Sequence, residues 1–66
     1  MKITANMKEC DVAERTTVAA FIESAGLNPS RCVAELNGAA MTYEKFKDAV
    51  LKDGDVLEIM TVVAGG

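Results

Sequence analysis

One amphipathic helix in the first half of this 66-residue chain sets the strongest limit on its fold. Its apolar residues recur at i, i+3, i+4 and i+7 and are Val18, Phe21, Ile22 and Ala25. Thr16 or Thr17 can cap its amino end through a side-chain hydroxyl. Gly26 supplies the left-handed residue that ends helices, and Pro29 prevents a restart. We expect this helix to lie across a sheet, with Phe21 as the largest side chain of the core.

Short runs in which apolar and polar residues alternate predict strands on both sides of the helix. The first two runs meet at Asn6 and predict an amino-terminal hairpin, although its turn contains no glycine. The next two flank Asn37-Gly38, a pair typical of a type I′ turn because both central residues need positive φ. The predicted strands span residues 1–6, 8–12, 32–36, 39–41 and 56–63.

The segment before the last strand predicts a short second helix and a turn. Thr42 can cap a helical turn over residues 43–46, in which Phe46 points inward. We expect Tyr43 to be a surface residue with its ring half packed. Residues 52–55 form a turn by composition, because they contain an Asp-Gly pair.

The last strand is the longest run of β-formers in the chain, and its two sides differ. Its inward-facing residues are expected to be Leu57, Ile59 and Thr61, and its outward-facing residues Glu58, Met60 and Val62. Because methionine adapts to irregular surfaces, we expect Met60 and Val62 to form a docking patch beside the end of the chain.

This element order predicts an α+β fold of the ubiquitin-like β-grasp type. One main helix covers one face of a mixed sheet of about five strands, and a short second helix follows. The last strand lies centrally, parallel to the first, because the main helix provides the crossover between them. The other sheet face stays bare for a partner. We expect residues 1–61 to form one domain and residues 62–66 a flexible tail.

Composition excludes several classes of function. The net charge is −3 and the basic residues are scattered, which disfavours nucleic acid as a partner. No apolar run approaches the roughly 20 residues of a membrane span, so we expect a cytoplasmic protein. The sequence contains no histidine, which argues against zinc sites and Cys-His catalysis. Cys10 and Cys32 are expected to be reduced packing residues, and Asp53 and Asp55 turn residues rather than metal ligands.

The chain ends in Ala64-Gly65-Gly66 after a loss of side-chain bulk from Val63 onward. Glycine has no Cβ and reaches backbone conformations closed to other residues, so this ending predicts a thin thread. A thread of this kind can enter a narrow site on another protein.

The whole chain resembles the small β-grasp sulfur carriers of the thiamine pathway, the ThiS family. The likeness rests on Val-Ala-Glu-Leu-Asn-Gly at 33–38, Lys-Asp-Gly-Asp-Val at 52–56 and Val-Val-Ala-Gly-Gly at 62–66. The chain departs from the family at Thr42, where many members have proline, and this affects the local turn more than the chemistry.

The resemblance implies a carrier that is not itself an enzyme and has no catalytic residue, metal or cofactor of its own. A ThiF-like adenylyltransferase that uses ATP and magnesium would adenylate the carboxylate of Gly66. Cysteine-derived sulfur would displace AMP to give a thiocarboxylate, which a ThiG-like thiazole synthase would use. Ala64, Gly65 and Gly66 would enter the partner's active site. The partner would bind Met60, Val62 and Val63 at the entrance of that site.

Three other interpretations remain open from the sequence. The small subunit of molybdopterin synthase shares the fold, tail and activation chemistry but serves another sulfur acceptor. A protein modifier would join Gly66 to lysines by an isopeptide bond. A non-covalent β-grasp interaction module would use the bare sheet face and have no need of a free glycine end.

Overall fold

All five predicted strands and both predicted helices are present in the computed structural model, which describes residues 1–62. The elements are β1 (Lys2–Ala5), β2 (Lys8–Asp11), α1 (Val18–Ser24), a 3-10 turn (Pro29–Arg31), β3 (Cys32–Leu36), β4 (Ala39–Met41), α2 (Tyr43–Phe46) and β5 (Val56–Thr61). The last strand, β5, ends at Thr61 and is shorter than the predicted span of residues 56–63. Val63 lies outside the described residues.

The five strands form one mixed sheet in the order β2-β1-β5-β3-β4. The last strand, β5, is central: it runs parallel to β1 and antiparallel to β3. Its pairing with β3 runs from Leu57 to Thr61, whereas its ladder with β1 pairs only Thr4 with Val56 and Ala5 with Leu57. This confirms the predicted crossover. Among residues 1–62, no strand lies beside the carboxyl end of β5 on its β1 side.

Both hairpins turn through two residues with positive φ, as type I′ turns require. The β3–β4 turn uses Asn37 (φ 53°) and Gly38 (φ 85°). The β1–β2 turn uses Asn6 (φ 49°) and Met7 (φ 70°). The amino-terminal hairpin therefore forms without a glycine, because asparagine tolerates the left-handed region and Met7 is held there by the flanking strand pairs.

The main helix begins and ends where its capping residues predict. Thr17 is the N-cap, and its Oγ1 accepts a hydrogen bond from the Ala20 amide at 3.0 Å. Gly26 follows the helix with φ 82°, and the Leu27 amide donates to the Ile22 carbonyl at 3.2 Å. Helices commonly end in this way: a left-handed residue reverses the chain, and the amides that follow donate to carbonyls of the last helical turn.

The core lies between α1, α2 and one face of the sheet. It consists of Ile3, Val18, Ile22, Cys32, Ala34, Phe46, Leu51 and Leu57. The expectation that Phe21 is its largest side chain is wrong, because Phe46 is fully buried and Phe21 only partly. Phe21 lies at the edge of the helix beside a shallow cleft that it lines with Val12 and Ala13. Ala25 is exposed, because α1 has already ended there.

The loop between α2 and β5 packs against the start of α1 and contributes a core residue that the sequence does not reveal. The Leu51 amide donates to the Thr16 carbonyl at 2.8 Å, and the Val18 amide donates to the Ala49 carbonyl at 2.9 Å. These bonds place the Leu51 side chain fully inside. Leu51 follows Ala49 and Val50 in a segment that is neither helix nor strand, so no helical or strand periodicity predicts which of these apolar residues is buried.

The short helix α2 begins at Thr42 but is capped differently from the expectation. The Thr42 side chain makes no bond to a backbone amide, and its hydroxyl donates instead to Glu44 Oε1 at 2.8 Å. Tyr43 is exposed and its ring meets that of Phe46 edge to face, with centroids 6.2 Å apart. The expectation of a half-packed surface tyrosine is confirmed.

Candidate functional site

The carboxyl end of β5 reaches the protein surface. The strand ends at Thr61, and the next amide, that of Val62, donates to the Arg31 carbonyl at 2.7 Å. The Val62 side chain is 51% exposed. The predicted tail residues Val63, Ala64, Gly65 and Gly66 lie outside the described residues, so their proposed roles stay predictions. The body of the protein thus delivers the chain to solvent immediately before them.

The side chains of β5 alternate nearly as the sequence predicts. Leu57 is buried and Ile59 half-buried on the inner face, whereas Met60 is 52% exposed on the outer face. The expected inward position of Thr61 is wrong, because this residue is exposed. β1 has turned away before it reaches Thr61, so one flank of the side chain stays in water.

Two asparagines fix β5 from opposite sides. Asn6 Oδ1 accepts from the Ile59 amide at 2.7 Å, and Asn6 Nδ2 donates to the Ile59 carbonyl at 3.3 Å. On the β3 side, Asn37 Oδ1 accepts from the Val56 amide at 2.9 Å. Each asparagine is the first residue of a hairpin turn, and each carboxamide binds β5 just beyond the last residue of the strand on its own side, Ala5 of β1 or Leu36 of β3. Sequence reasoning assigned both only to turns, since a turn motif does not show what its side chain binds.

Two aspartates before β5 are engaged in the turn that starts the strand. Asp55 is only 9% exposed, and its oxygens accept from Asn37 Nδ2 at 3.0 Å and from the Lys52 amide at 2.7 Å. Asp53 Oδ1 accepts from the Lys2 amide at 2.8 Å. These bonds support the interpretation of both carboxylates as turn residues. Within residues 1–62, no three potential metal-ligating side chains form a group.

The outer face of the sheet combines apolar and acidic side chains. Met60 lies opposite Val33, and Glu58 lies opposite Glu35, on β5 and β3. All four are exposed. Like charges directly opposite each other destabilise a sheet modestly, and no lysine or arginine in residues 1–62 forms an ion pair with either glutamate. A groove of about 570 Å³ continues from Met60 and Val33 past Ala40 to Lys45 in α2.

A family model decides which group of proteins this arrangement belongs to. The model of the ThiS family matches residues 1–66. The chain belongs to the ThiS family. The ThiS match covers the whole chain, including the carboxyl-terminal residues that carry the resemblance seen in the sequence.

Solved structures agree with this assignment. The chain is similar to the crystal structure of the thiamine biosynthesis protein ThiS from Geobacter metallireducens, with a TM-score of 0.82, 30% identity and full coverage of both chains. It is also similar to a solution NMR structure of a thiamine biosynthesis protein from the same organism, with a TM-score of 0.79 and 30% identity over 100% of this chain and 88% of that one. A comparison with curated proteins finds no match. The ThiS likeness confirms the predicted β-grasp fold.

The described part of this ThiS-family chain shows where the predicted docking residues lie. Met60 and Val62 are both exposed at the end of β5, as expected. Val33 joins them from β3, although the sequence offered no reason to single it out, because cross-strand register is not visible in a sequence. No helix within residues 1–62 has the length and apolar character needed to span a membrane.

Proposed function

We propose that this protein is a sulfur carrier of thiamine biosynthesis that works through the carboxylate of Gly66. The observation that carries the proposal is the ThiS-family match over residues 1–66, together with a central strand that delivers the chain to the surface at Val62. A ThiF-like enzyme adenylates Gly66, and a ThiG-like synthase takes the sulfur for the thiazole ring.

The chemistry needs an activated acyl group at Gly66. A carboxylate is a poor electrophile, so one of its oxygens first attacks the α-phosphorus of ATP and releases pyrophosphate. Sulfur from a cysteine-derived source, at the oxidation level of sulfide, then forms a C–S bond, and AMP leaves with the electron pair of the broken C–O bond. The product is a carboxyl-terminal thiocarboxylate.

The chain's own residues fit the role of substrate better than that of catalyst. Nucleotidyl transfer relies on positioned phosphates and magnesium, which carboxylates commonly hold. The adjacent carboxylates Asp53 and Asp55 already accept backbone hydrogen bonds, from the Lys2 amide of β1 and from the Lys52 amide of the turn before β5. We therefore assign ATP and magnesium to the partner, and expect no cofactor on this chain.

The outer face gives the partner a place to dock. Met60 and Val62 lie beside the exit of the tail, with Val63 as the next residue, and all three are apolar. Glu35 and Glu58 lie next to them and fit a partner surface that carries lysine or arginine. Ala64, Gly65 and Gly66 have little or no side chain and can pass along a narrow channel to the ATP site.

Growth of a strain that lacks its own thiamine sulfur carrier tests this proposal. We expect the unmodified chain to restore growth without added thiazole, and a chain with one residue appended after Gly66 to fail. A residue added before Met1 is the matched control and should leave rescue intact. Rescue by the extended chain without trimming would contradict the carrier role and favour the non-covalent module. Rescue only of a strain that lacks the small subunit of molybdopterin synthase would favour that alternative acceptor.

A further inference from the structure

Met7 occupies a turn position that the flanking strand pairs impose but that does not favour methionine. The two hairpin turns of the chain share their geometry and their first residue, asparagine, but the second residue is Gly38 in one and Met7 in the other. Positive φ is unfavourable for methionine and costs glycine nothing. Met7 is 86% exposed, so packing against residues 1–62 does not offset this cost.

The turn that holds Met7 lies beside an open edge of β5. The Val62 amide donates to the Arg31 carbonyl, so the backbone groups of Val62 point towards β3. Successive residues of a strand direct their N–H and C=O groups to opposite sides, so the residue before Val62 and every second residue before that one point towards β1. The bonds on that side agree: the Leu57 carbonyl accepts from the Asn6 amide at 2.9 Å, and Ile59 binds the Asn6 side chain.

Thr61 is the next residue whose peptide groups face this side. β1 ends at Ala5, and Asn6 covers no residue of β5 beyond Ile59. Within residues 1–62, the Thr61 amide and carbonyl therefore have no partner on the β1 side. An unpaired amide and carbonyl on an exposed strand form a template for another extended chain.

We propose that an extended segment of the adenylating partner pairs with β5 at Thr61 and packs apolar side chains on Met7. The inference rests on the proposed function. An extended backbone is the occupant whose donors and acceptors match these groups of Thr61. Val62 follows Thr61, Met7 follows the asparagine that binds Ile59, and both are exposed apolar residues.

The position of this edge limits its occupant to a protein that receives Gly66, and the adenylating enzyme is the first that must do so. Residues 63–66 span at most about 14 Å when fully extended. The protein that receives Gly66 must therefore come close to the end of β5, where Thr61 lies and where the Asn6–Met7 turn binds Ile59 two residues earlier. Strand addition there also holds the departing chain in the extended form that a narrow channel requires.

Two altered chains separate this role from a purely structural one. In Met7→Gly, the turn gains the residue that its geometry favours, and the partner loses an apolar contact. In a chain made by chemical ligation, an ester between Met60 and Thr61 removes the Thr61 N–H and weakens the Met60 carbonyl, which faces β3, as an acceptor. An ester between Asp53 and Gly54 is the control, because it removes the N–H that donates to the Lys2 carbonyl at the other end of β5 and leaves both peptide groups of Thr61 unchanged.

The measurements are urea unfolding and ATP–pyrophosphate exchange, with the carrier as the varied substrate of an adenylating enzyme that activates the unmodified chain. We expect Met7→Gly to raise both the urea midpoint and the KM for the carrier, the latter about five- to tenfold. The Thr61 ester should raise KM about three- to tenfold and lower the midpoint less than the control ester does. The Gly54 ester should lower the midpoint and leave KM within about twofold.

Two results would overturn the inference in different ways. If Met7→Gly and the Thr61 ester are both adenylated with the KM of the unmodified chain, the edge is not a docking site and the carrier role stands. If no ThiF-like enzyme adenylates the unmodified chain, the proposed function fails and the inference fails with it.

Discussion

The carboxamide of Asn6 pairs with the peptide of Ile59 as a neighbouring strand would. Its Oδ1 accepts from the Ile59 amide at 2.7 Å, and its Nδ2 donates to the Ile59 carbonyl at 3.3 Å. β1 has ended one residue earlier, so this side chain extends the pairing of β5 on that side. The relationship joins the amino-terminal turn to the strand from which the tail departs.

Replacement of Asn6 should therefore destabilise the fold through two separable effects. Asn6→Gly removes both side-chain bonds but accepts positive φ, and we expect a loss of about 1–3 kcal/mol in the free energy of unfolding. Asn6→Ala adds the cost of a left-handed alanine, about 1 kcal/mol more. Urea unfolding of both variants measures these terms. Equal stability of Asn6→Gly and the unmodified chain would show that the Ile59 bonds contribute nothing.

The two phenylalanines should respond very differently to truncation. Phe46 is fully buried between the helices and the sheet, so Phe46→Ala should cost about 3–5 kcal/mol and leave little folded protein. Phe21 is only partly buried and serves as the matched control, with a smaller loss for Phe21→Ala. Thermal unfolding followed by circular dichroism compares them. A larger loss at Phe21 would restore the expectation from the sequence and contradict the packing seen here.

The carboxyl group of Glu44 provides a test by titration. The hydrogen bond from the Thr42 hydroxyl, followed by a bond from the Glu44 amide, lowers the pKa of Glu44 below its ordinary value. Thr42→Val keeps the side-chain shape and removes the hydroxyl, so the pKa of Glu44 should rise, as NMR titration of the side-chain carboxyl can show. Because the folded pKa is depressed, the small associated stability is present above the unfolded pKa and lost as pH falls through the folded one. An unchanged pKa in the variant would show that Thr42 has no effect.

The docking role of the outer face predicts a change in partner binding without a change in folding. Met60→Ser should raise the KM for the carrier in adenylation about tenfold, because a half-exposed methionine loses its contact with the partner. Val50→Ser is the matched control, since Val50 is exposed to a similar degree but lies outside the sheet strands. Equal KM values for the two variants would exclude Met60 from the interface.

The sequence predicted those parts of the fold that depend on local patterns. Helix α1 follows from its apolar spacing and its capping residues Thr17 and Gly26, and the β3–β4 hairpin follows from Asn37-Gly38. The order of the strands follows from the single crossover helix. Hydrophobic periodicity of the last strand placed Leu57 inside and Met60 outside.

What the sequence did not reveal depends on contacts between distant segments. Leu51 is buried because its loop bonds to Thr16, and Thr61 is exposed because β1 ends too early to cover it. The side-chain bonds of Asn6 join residues 53 positions apart. No local pattern encodes such pairs. The sequence therefore predicted the outward-facing residues of the candidate site but not the side-chain hydrogen bonds that hold β5 in place.

The most direct test of the carrier role is the intact mass of the protein after incubation with a ThiF-like enzyme, ATP, magnesium and a cysteine-derived sulfur source. The account predicts a mass increase equal to the exchange of one oxygen for one sulfur, placed at Gly66 by fragmentation, and no increase in a chain that lacks Gly66. A mass that stays unchanged when the same enzyme preparation converts an authentic ThiS carrier, or an exchange that persists without Gly66, would contradict it.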